Sequence, residues 1–148
     1  MDVKLNWKND LQFTGINSNE ENVLLGGTQE EEIKPDGFKP LELILVGLAG
    51  CTAMDVISIL QKKRQEVTQF SVNVHAERSN VHPKVFTEIV IEYTLTGPNL
   101  DSEAVRRSVE LSENKYCSAM AMLRKNSPIR TRITLLKPSQ GPGMGILE

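Results

Sequence analysis

The most apolar stretch of the chain, residues 43–54, reads LILVGLAGCTAM and carries no charged side chain. It lies within a segment of helical length, residues 41–64, that ends in a basic cluster. Pro40 stands where the first turn of a helix tolerates proline, and Glu42 follows where an acid favours the positive end of the helix dipole. A helix that is apolar on nearly all sides must be enclosed by protein. The stretch therefore predicts one long, buried central helix.

Alternation of apolar and polar residues predicts strands before this helix. Val3, Leu5 and Trp7 alternate with polar neighbours, and residues 11–16 and 23–25 form two further short apolar runs. A period of two residues is typical of strands that are buried on one face. We therefore expect three short strands in the first part of the chain.

Two long alternating runs follow the helix, at residues 70–76 and 85–95. The turn-like link between them predicts an antiparallel hairpin. One helix is expected after Asp101, a second helical piece at residues 117–125, and a closing strand at residues 129–136. Because strands and helices occur in separate blocks, the sequence favours an α+β fold over a parallel doubly wound sheet.

Composition limits the classes of protein to which this chain can belong. A length of 148 residues fits one domain, which we place at residues 1–138, with a flexible tail at 139–148. A net charge of -2 without a basic block argues against nucleic acid as a partner. Two cysteines are too few for a disulfide-stapled secreted scaffold. The uncharged run is shorter than the ~20 residues of a membrane span. We therefore expect a cytoplasmic protein without a membrane partner.

The central helix also predicts the oligomeric state. One small domain of this length cannot easily cover a helix that is apolar on nearly all sides, whereas two copies whose central helices face each other can. Gly47 and Gly50 would weaken a helix, so we expect them to admit another backbone closely. The sequence therefore predicts a homodimer.

Cys51 and Cys117 are the only two cysteines, and their surroundings differ. Cys51 lies inside the apolar stretch, while Cys117 follows an acidic, helix-like run. Ligands of a zinc site are usually closely spaced pairs, so this separation argues against such a site. One interpretation is a thiol that reacts and a thiol that resolves; the other is two inert buried cysteines, since free cysteine is often buried.

Three segments resemble the OsmC/Ohr family, the osmotically induced and organic hydroperoxide resistance proteins. They are residues 37–43 (GFKPLEL), residues 47–51 (GLAGC) and residues 116–118 (YCS). The order of elements and the separation of the cysteines are also similar. The resemblance implies antiparallel sheets packed around a long buried central helix, in an intertwined homodimer with two sites built from both subunits. It further implies that Cys51 attacks a peroxide and Cys117 resolves the product as a disulfide.

Members of this family activate the attacking thiol with an arginine from the N-terminal β region, paired to a glutamate at the start of the central helix. Here the first arginine is Arg64, and the position of that glutamate reads Leu41, with Glu42 next to it. Glu42 is our third candidate catalytic residue, and a helix-start acid is its alternative role. A buried thiol without a nearby cation has a raised pKa. We therefore expect weak peroxidase activity unless another cation, such as Lys39 or Arg124, replaces the arginine.

Several other side chains have a functional and a structural interpretation. Asp55, one turn after Cys51, would raise the pKa of a neighbouring thiol, so we expect it to pair with Lys62 or with a residue across the dimer. We expect no metal and no cofactor. The remaining candidates are two histidines with no ligands at metal spacing and two methionines that line an apolar pocket or fill the core: His75, His82, Met120 and Met122.

Three classes of function remain open at this point. The first is a thiol peroxidase that acts on organic hydroperoxides and is reduced by a dithiol. The second is a non-enzymatic protein that binds a small apolar ligand at the dimer interface. The third is a cysteine redox sensor without turnover.

Overall fold

The computed structural model describes residues 1–27 and 36–138, which divide between two compact units, Met1–Val46 and Gly47–Glu148. The architecture is α+β, as the sequence predicts, with two separate three-stranded sheets and helices. The tail that we place at residues 139–148 lies outside the described residues.

The first unit contains an antiparallel sheet whose strands follow one another in sequence. Its strands are β1 (Val3–Asn9), β2 (Gln12–Asn17) and β3 (Asn22–Leu25), which confirms the three predicted strands. Gly37 has a φ of 103°, and a side chain there would meet the carbonyl oxygen of Leu24 at 2.6 Å. Glycine is therefore required where the chain returns beside β3.

The central helix α1 (Pro40–Lys62) confirms the predicted position of the long helix. Its fully buried residues recur every four positions and so form one stripe: Leu48, Thr52, Val56 and Leu60. Ile44, Val46 and Met54 are exposed in this single chain. Enclosure on all sides is therefore not found among the described residues of one copy.

One smaller expectation about α1 needs correction, and another now concerns a second copy. A side chain added at Gly47 or Gly50 would meet nothing within 4 Å, so no other described segment of this chain approaches them closely, and the expected backbone would have to come from a partner copy. The uncharged run also understates the apolar length of the helix. Its 23 residues, with a mean hydropathy of 2.2 over the most apolar 18-residue window, would suffice to cross a membrane by length and composition alone. The same features are found in the core helix of a soluble protein.

The second unit contains a mixed sheet of β4 (Gln69–Arg78), β5 (Phe86–Thr96) and β6 (Ile129–Leu136). The β4–β5 pair is the predicted antiparallel hairpin. β6 instead runs parallel to β5, in contrast to the antiparallel arrangement of the other pairs. A parallel pair needs a long crossover, and the helices between the two strands supply it. The core lies along β5, whose inward side chains are fully buried: Ile89, Ile91, Tyr93 and Leu95.

The crossover between β5 and β6 positions the second cysteine. It consists of α2 (Ser102–Leu111), a π-helical turn (Ser112–Tyr116) and α3 (Ser118–Leu123). Asp101 caps α2, because its side chain accepts a hydrogen bond from the amide of Glu103 at 2.9 Å. Cys117 lies between the π-helical turn and α3 in an extended conformation, which breaks the helical path at this point.

Candidate active site around the two cysteines

The structure brings together the two cysteines, which are 66 positions apart in the sequence. The Sγ atoms of Cys51 and Cys117 and a carboxylate oxygen of Asp55 all lie within 4.8 Å of one another. Both cysteines are free thiols. The closeness that an attacking and a resolving thiol require is therefore found within one chain.

Local structure explains the position of each of the three side chains. Cys51 and Asp55 are one helical turn apart, so they share one face of α1. Cys117 is the residue before α3, and its Sγ accepts a hydrogen bond from the amide of Met120 at 3.4 Å. Cys117 is 3% exposed, whereas Cys51 and Asp55 are half-buried. Cys51 is therefore the more accessible of the two thiols.

A buried chain of hydroxyl groups supports Asp55. Ser112 donates a hydrogen bond from Oγ to Oδ2 of Asp55 at 3.0 Å. The Ser112 oxygen lies 2.9 Å from Oγ1 of Thr52, which in turn lies 2.7 Å from the hydroxyl of Tyr93. Because Ser112 gives its proton to Asp55, its oxygen accepts from Thr52, and the Thr52 oxygen then accepts from Tyr93. The chain runs from the core on β5 to the carboxylate beside the thiols.

The sequence does not predict this hydroxyl chain; it offers Lys62 or a residue across the dimer as the partner of Asp55. Within one chain the partner is Ser112, which belongs to the π-helical turn. The one available signal was Thr52, a hydroxyl residue inside the most apolar stretch. A buried hydroxyl needs a hydrogen-bond partner, so its presence there predicts a polar contact from another element.

Burial dominates the protonation chemistry of the site. It raises the pKa of the Cys117 thiol to about 12; neighbouring Cys51 and Asp55 act in the same direction, and the hydrogen bond from the Met120 amide opposes them. Burial likewise raises the pKa of Tyr93 to about 12. Cys117 and Tyr93 therefore remain protonated at neutral pH in this chain.

Glu42 lies in the first unit, at the start of α1. It is exposed, and its Oε2 accepts a hydrogen bond from the amide of Lys39 at 2.9 Å. This contact satisfies a backbone donor at the helix start, as the structural interpretation of Glu42 requires. The cysteines and Asp55 belong to the second unit.

Arg124 is the candidate replacement cation that shares a cavity with a cysteine. It lines a cavity of about 330 Å³ together with Cys117. Its guanidinium donates to Oδ1 of Asn114 at 3.4 Å and contacts Sδ of Met120 at 3.2 Å. Arg124 is therefore held beside the segment that carries Cys117, and Lys39 belongs to the first unit.

The remaining candidates, two histidines and two methionines, differ in their burial. His75 is exposed and pairs with Glu77 at 2.9 Å, and His82 is exposed. Met120 is fully buried, as the core interpretation predicts, whereas Met122 is 64% exposed. In the described part of the chain, the side chains that could hold a metal together are Cys51, Asp55 and Cys117.

Comparison with known proteins gives one consistent result. A family model described as OsmC-like protein matches residues 33–132. Protein YhfA of Escherichia coli (strain K12) is 37% identical over 125 residues, which cover 84% of this chain and 90% of YhfA.

Solved structures share the fold. A hypothetical protein from Aquifex aeolicus VF5 superposes with a TM-score of 0.82 at 29% identity, over 93% of this chain and 96% of that one. The organic hydroperoxide resistance protein OhrB of Bacillus subtilis superposes with a TM-score of 0.62 at 13% identity, over 90% of this chain and 98% of that one.

Proposed function

This chain belongs to the OsmC-like family, and on that premise we propose that it is a thiol-dependent peroxidase that reduces organic hydroperoxides. The observation that carries the proposal is the approach of the two sulfur atoms of Cys51 and Cys117 to within 4.8 Å in one chain. The resistance to organic hydroperoxides named for OhrB of Bacillus subtilis supports the choice of substrate class.

The reaction assigns one role to each thiol. The Cys51 thiolate attacks the O–O bond of the hydroperoxide and gains a hydroxyl group as a sulfenic acid, and the leaving alkoxide takes up a proton to give an alcohol. The Cys117 sulfur then attacks the Cys51 sulfur. A disulfide forms, and the hydroxyl group leaves with the Cys117 proton as water. A dithiol finally reduces the disulfide and is itself oxidised.

Burial supports this order of events. Cys51 is half-buried and can meet a substrate, whereas Cys117 is 3% exposed and is held by the Met120 amide. A thiol that resolves needs only to reach its partner, and a disulfide requires Cα atoms within roughly 7 Å. The expected rate is low, because the chain has no arginine before Arg64.

We also propose that the working form is a cytoplasmic homodimer. A helix that is apolar on nearly all sides needs protein contacts around it, and a second copy would supply them. Ile44, Val46 and Met54 are exposed on α1 in one copy. A second copy would remove these apolar side chains from water. Arg124 or a basic side chain of the partner would then replace the arginine that activates the attacking thiol in the family.

A second candidate function is the binding of a small apolar ligand. A mainly apolar cavity of about 410 Å³ lies within the first unit, lined by the three strands and Leu43. This volume falls in the range of ordinary ligand sites. A protein with this function would be stabilised thermally by its ligand and would consume no peroxide.

The test is peroxide consumption by the reduced, full-length protein with dithiothreitol as the dithiol. We expect turnover of cumene hydroperoxide in preference to hydrogen peroxide, abolished in Cys51→Ser. Cys117→Ser is the matched control, because it keeps the attacking thiol and lacks the resolving one. If wild type and Cys51→Ser consume the organic hydroperoxide at the same rate, the proposal is wrong. Oxidation without turnover would identify a redox sensor instead.

A further inference from the structure

Cys51, Asp55 and Cys117 bring two sulfurs and a carboxylate oxygen within 4.8 Å of one another, and we propose that these three side chains bind a zinc ion. Zinc prefers thiolate, imidazole and carboxylate ligands in tetrahedral geometry. Sites with three protein ligands keep the fourth position for water or another small molecule. The zinc site shares both thiols with the peroxidase proposal but does not rest on it, since zinc binding requires no oxidation of either thiol.

The two thiols are not joined by a disulfide, and the three ligand atoms lie close enough together to surround one ion. Zinc lies about 2.3 Å from a thiolate sulfur and about 2.0 Å from a carboxylate oxygen. In a tetrahedron these lengths place the ligand atoms about 3.5 to 3.8 Å apart. The three ligand atoms here therefore need to approach one another by about 1.3 Å at most. Asp55 and Cys51 are one turn apart on a rigid helix, so rotation about their side-chain bonds suffices.

Groups behind the three ligands hold two of them in place. Ser112 donates to Asp55 at 3.0 Å, and the Met120 amide donates to the sulfur of Cys117 at 3.4 Å. Ser112 and the Thr52 oxygen next to it are fully buried. Ligating carboxylates are typically fixed by such outer hydrogen bonds, and these partners contribute strongly to metal affinity.

The three ligands can supply the negative charge that an ion requires. Carboxylate and thiolate bind metals as anions, so zinc binding would release the proton that Cys117 carries in the metal-free chain. Their hydrogen-bond donors in the described residues are a serine hydroxyl and a backbone amide, not a lysine or arginine. A divalent ion would supply the missing positive charge. Half-buried Cys51 and Asp55 give it a path to the site.

Cobalt provides a direct spectroscopic test, because Co²⁺ occupies zinc sites and is coloured. The full-length protein, reduced and free of oxygen, is titrated with Co²⁺ and then with Zn²⁺. We expect one Co²⁺ per chain with tetrahedral ligand-field bands and a sulfur-to-cobalt charge-transfer band, all displaced by Zn²⁺. Protein oxidised with diamide, which takes up the two thiol hydrogens, should bind no ion, because the ion and the disulfide use the same sulfurs.

Variants distinguish the three ligands from one another. Cys117→Ser should lose about half of the charge-transfer intensity, because one of two thiolates is absent. Asp55→Asn should weaken zinc binding more than about tenfold, and Ser112→Ala by about tenfold through the position of Asp55. Asp2→Asn, at an exposed aspartate, is the matched control and should bind as wild type does.

Three results would overturn the site: no stoichiometric binding by the wild type, octahedral bands without charge transfer, or equal zinc affinity of wild type and Asp55→Asn. Thermal unfolding without metal shows whether each variant is folded. If Asp55→Asn is unfolded, the comparison of Ser112→Ala with wild type takes its place, and equal zinc affinity then overturns the site. Peroxide turnover without metal is measured independently, so loss of the zinc site and failure of the peroxidase proposal give different results.

Discussion

Strands in both sheets of this protein alternate apolar and polar residues, but their apolar faces are buried to different extents. On β5, the inward side chains, such as Ile91 and Tyr93, are fully buried. On β1, Val3, Leu5 and Trp7 are 82%, 55% and 67% exposed. Both strands have an apolar face, but only the face of β5, in the second unit, is buried within one chain. Alternation therefore shows which face of a strand is apolar, but not whether the same copy of the chain covers that face.

The helix α1 repeats this contrast along its own length. Leu48 and Leu60 are fully buried in the second unit, while Ile44 and Val46, near the start of the helix, are exposed. Large apolar patches on soluble proteins mark surfaces that bind a partner. The contrast between the sheets and the contrast within α1 both support a second copy as the missing cover.

The largest expected effect concerns the covered sheet. Ile91→Ala on β5 removes a fully buried side chain, so we expect it to lower the free energy of unfolding by about 2 to 5 kcal/mol. Ile133→Ala on β6 is the matched control, because Ile133 is an exposed isoleucine in the same sheet, and it should lower that free energy by less than about 1 kcal/mol. Urea denaturation at one fixed protein concentration measures both. Equal losses of unfolding free energy in the two variants would contradict the difference in burial between Ile91 and Ile133.

The next effect concerns the uncovered surface. Met54 is 73% exposed on α1, and burial of such a side chain contributes about 1.5 to 3 kcal/mol. Met54→Asp should therefore weaken dimerisation at least about tenfold. Val81→Asp, at an equally exposed residue in the turn after β4, should leave dimerisation unchanged. Sedimentation at micromolar concentration measures both, and a wild-type protein that is monomeric there would end the homodimer proposal.

The smallest effect concerns the polar start of α1. Glu42→Gln keeps an acceptor for the Lys39 amide and removes the negative charge. We expect it to lower the free energy of unfolding by about 0.3 to 1 kcal/mol at low salt, and less at high salt, because the charge interacts with the helix dipole. Peroxide consumption per folded molecule should be unchanged. A clear loss of consumption would restore Glu42 to the catalytic role that the family resemblance implies.

The sequence was sufficient for most of the secondary structure, because the signals were local. The strand at residues 129–136 and the helix after Asp101 begin where periodicity and capping predict. The parallel pairing of β6 with β5 was not predictable in this way, since strand direction depends on the path of the crossover. The pattern of residues 129–136 is compatible with either direction.

The site was predictable only in part, for a related reason. The resemblance predicts a reacting and a resolving thiol, and the structure places Cys51 and Cys117 close together. For Asp55 the sequence offers Lys62 or a residue across the dimer, whereas the partner within one chain is Ser112. Its hydrogen bond to Ser112 joins residues 57 positions apart and depends on the π-helical turn. A π-helical turn has no reliable sequence signal, and this one carries Ser112, the partner of Asp55.

The central claim is that Cys51 attacks a hydroperoxide and that Cys117 resolves the product. The most direct measurement is titration of the reduced protein with cumene hydroperoxide in the absence of oxygen and reductant, followed by thiol counting and intact mass. We predict that each hydroperoxide removes two thiols and leaves the wild-type chain two hydrogens lighter, while Cys117→Ser loses one thiol and gains one oxygen. Wild-type protein that keeps both thiols, or that gains oxygen without forming a disulfide, would contradict this account.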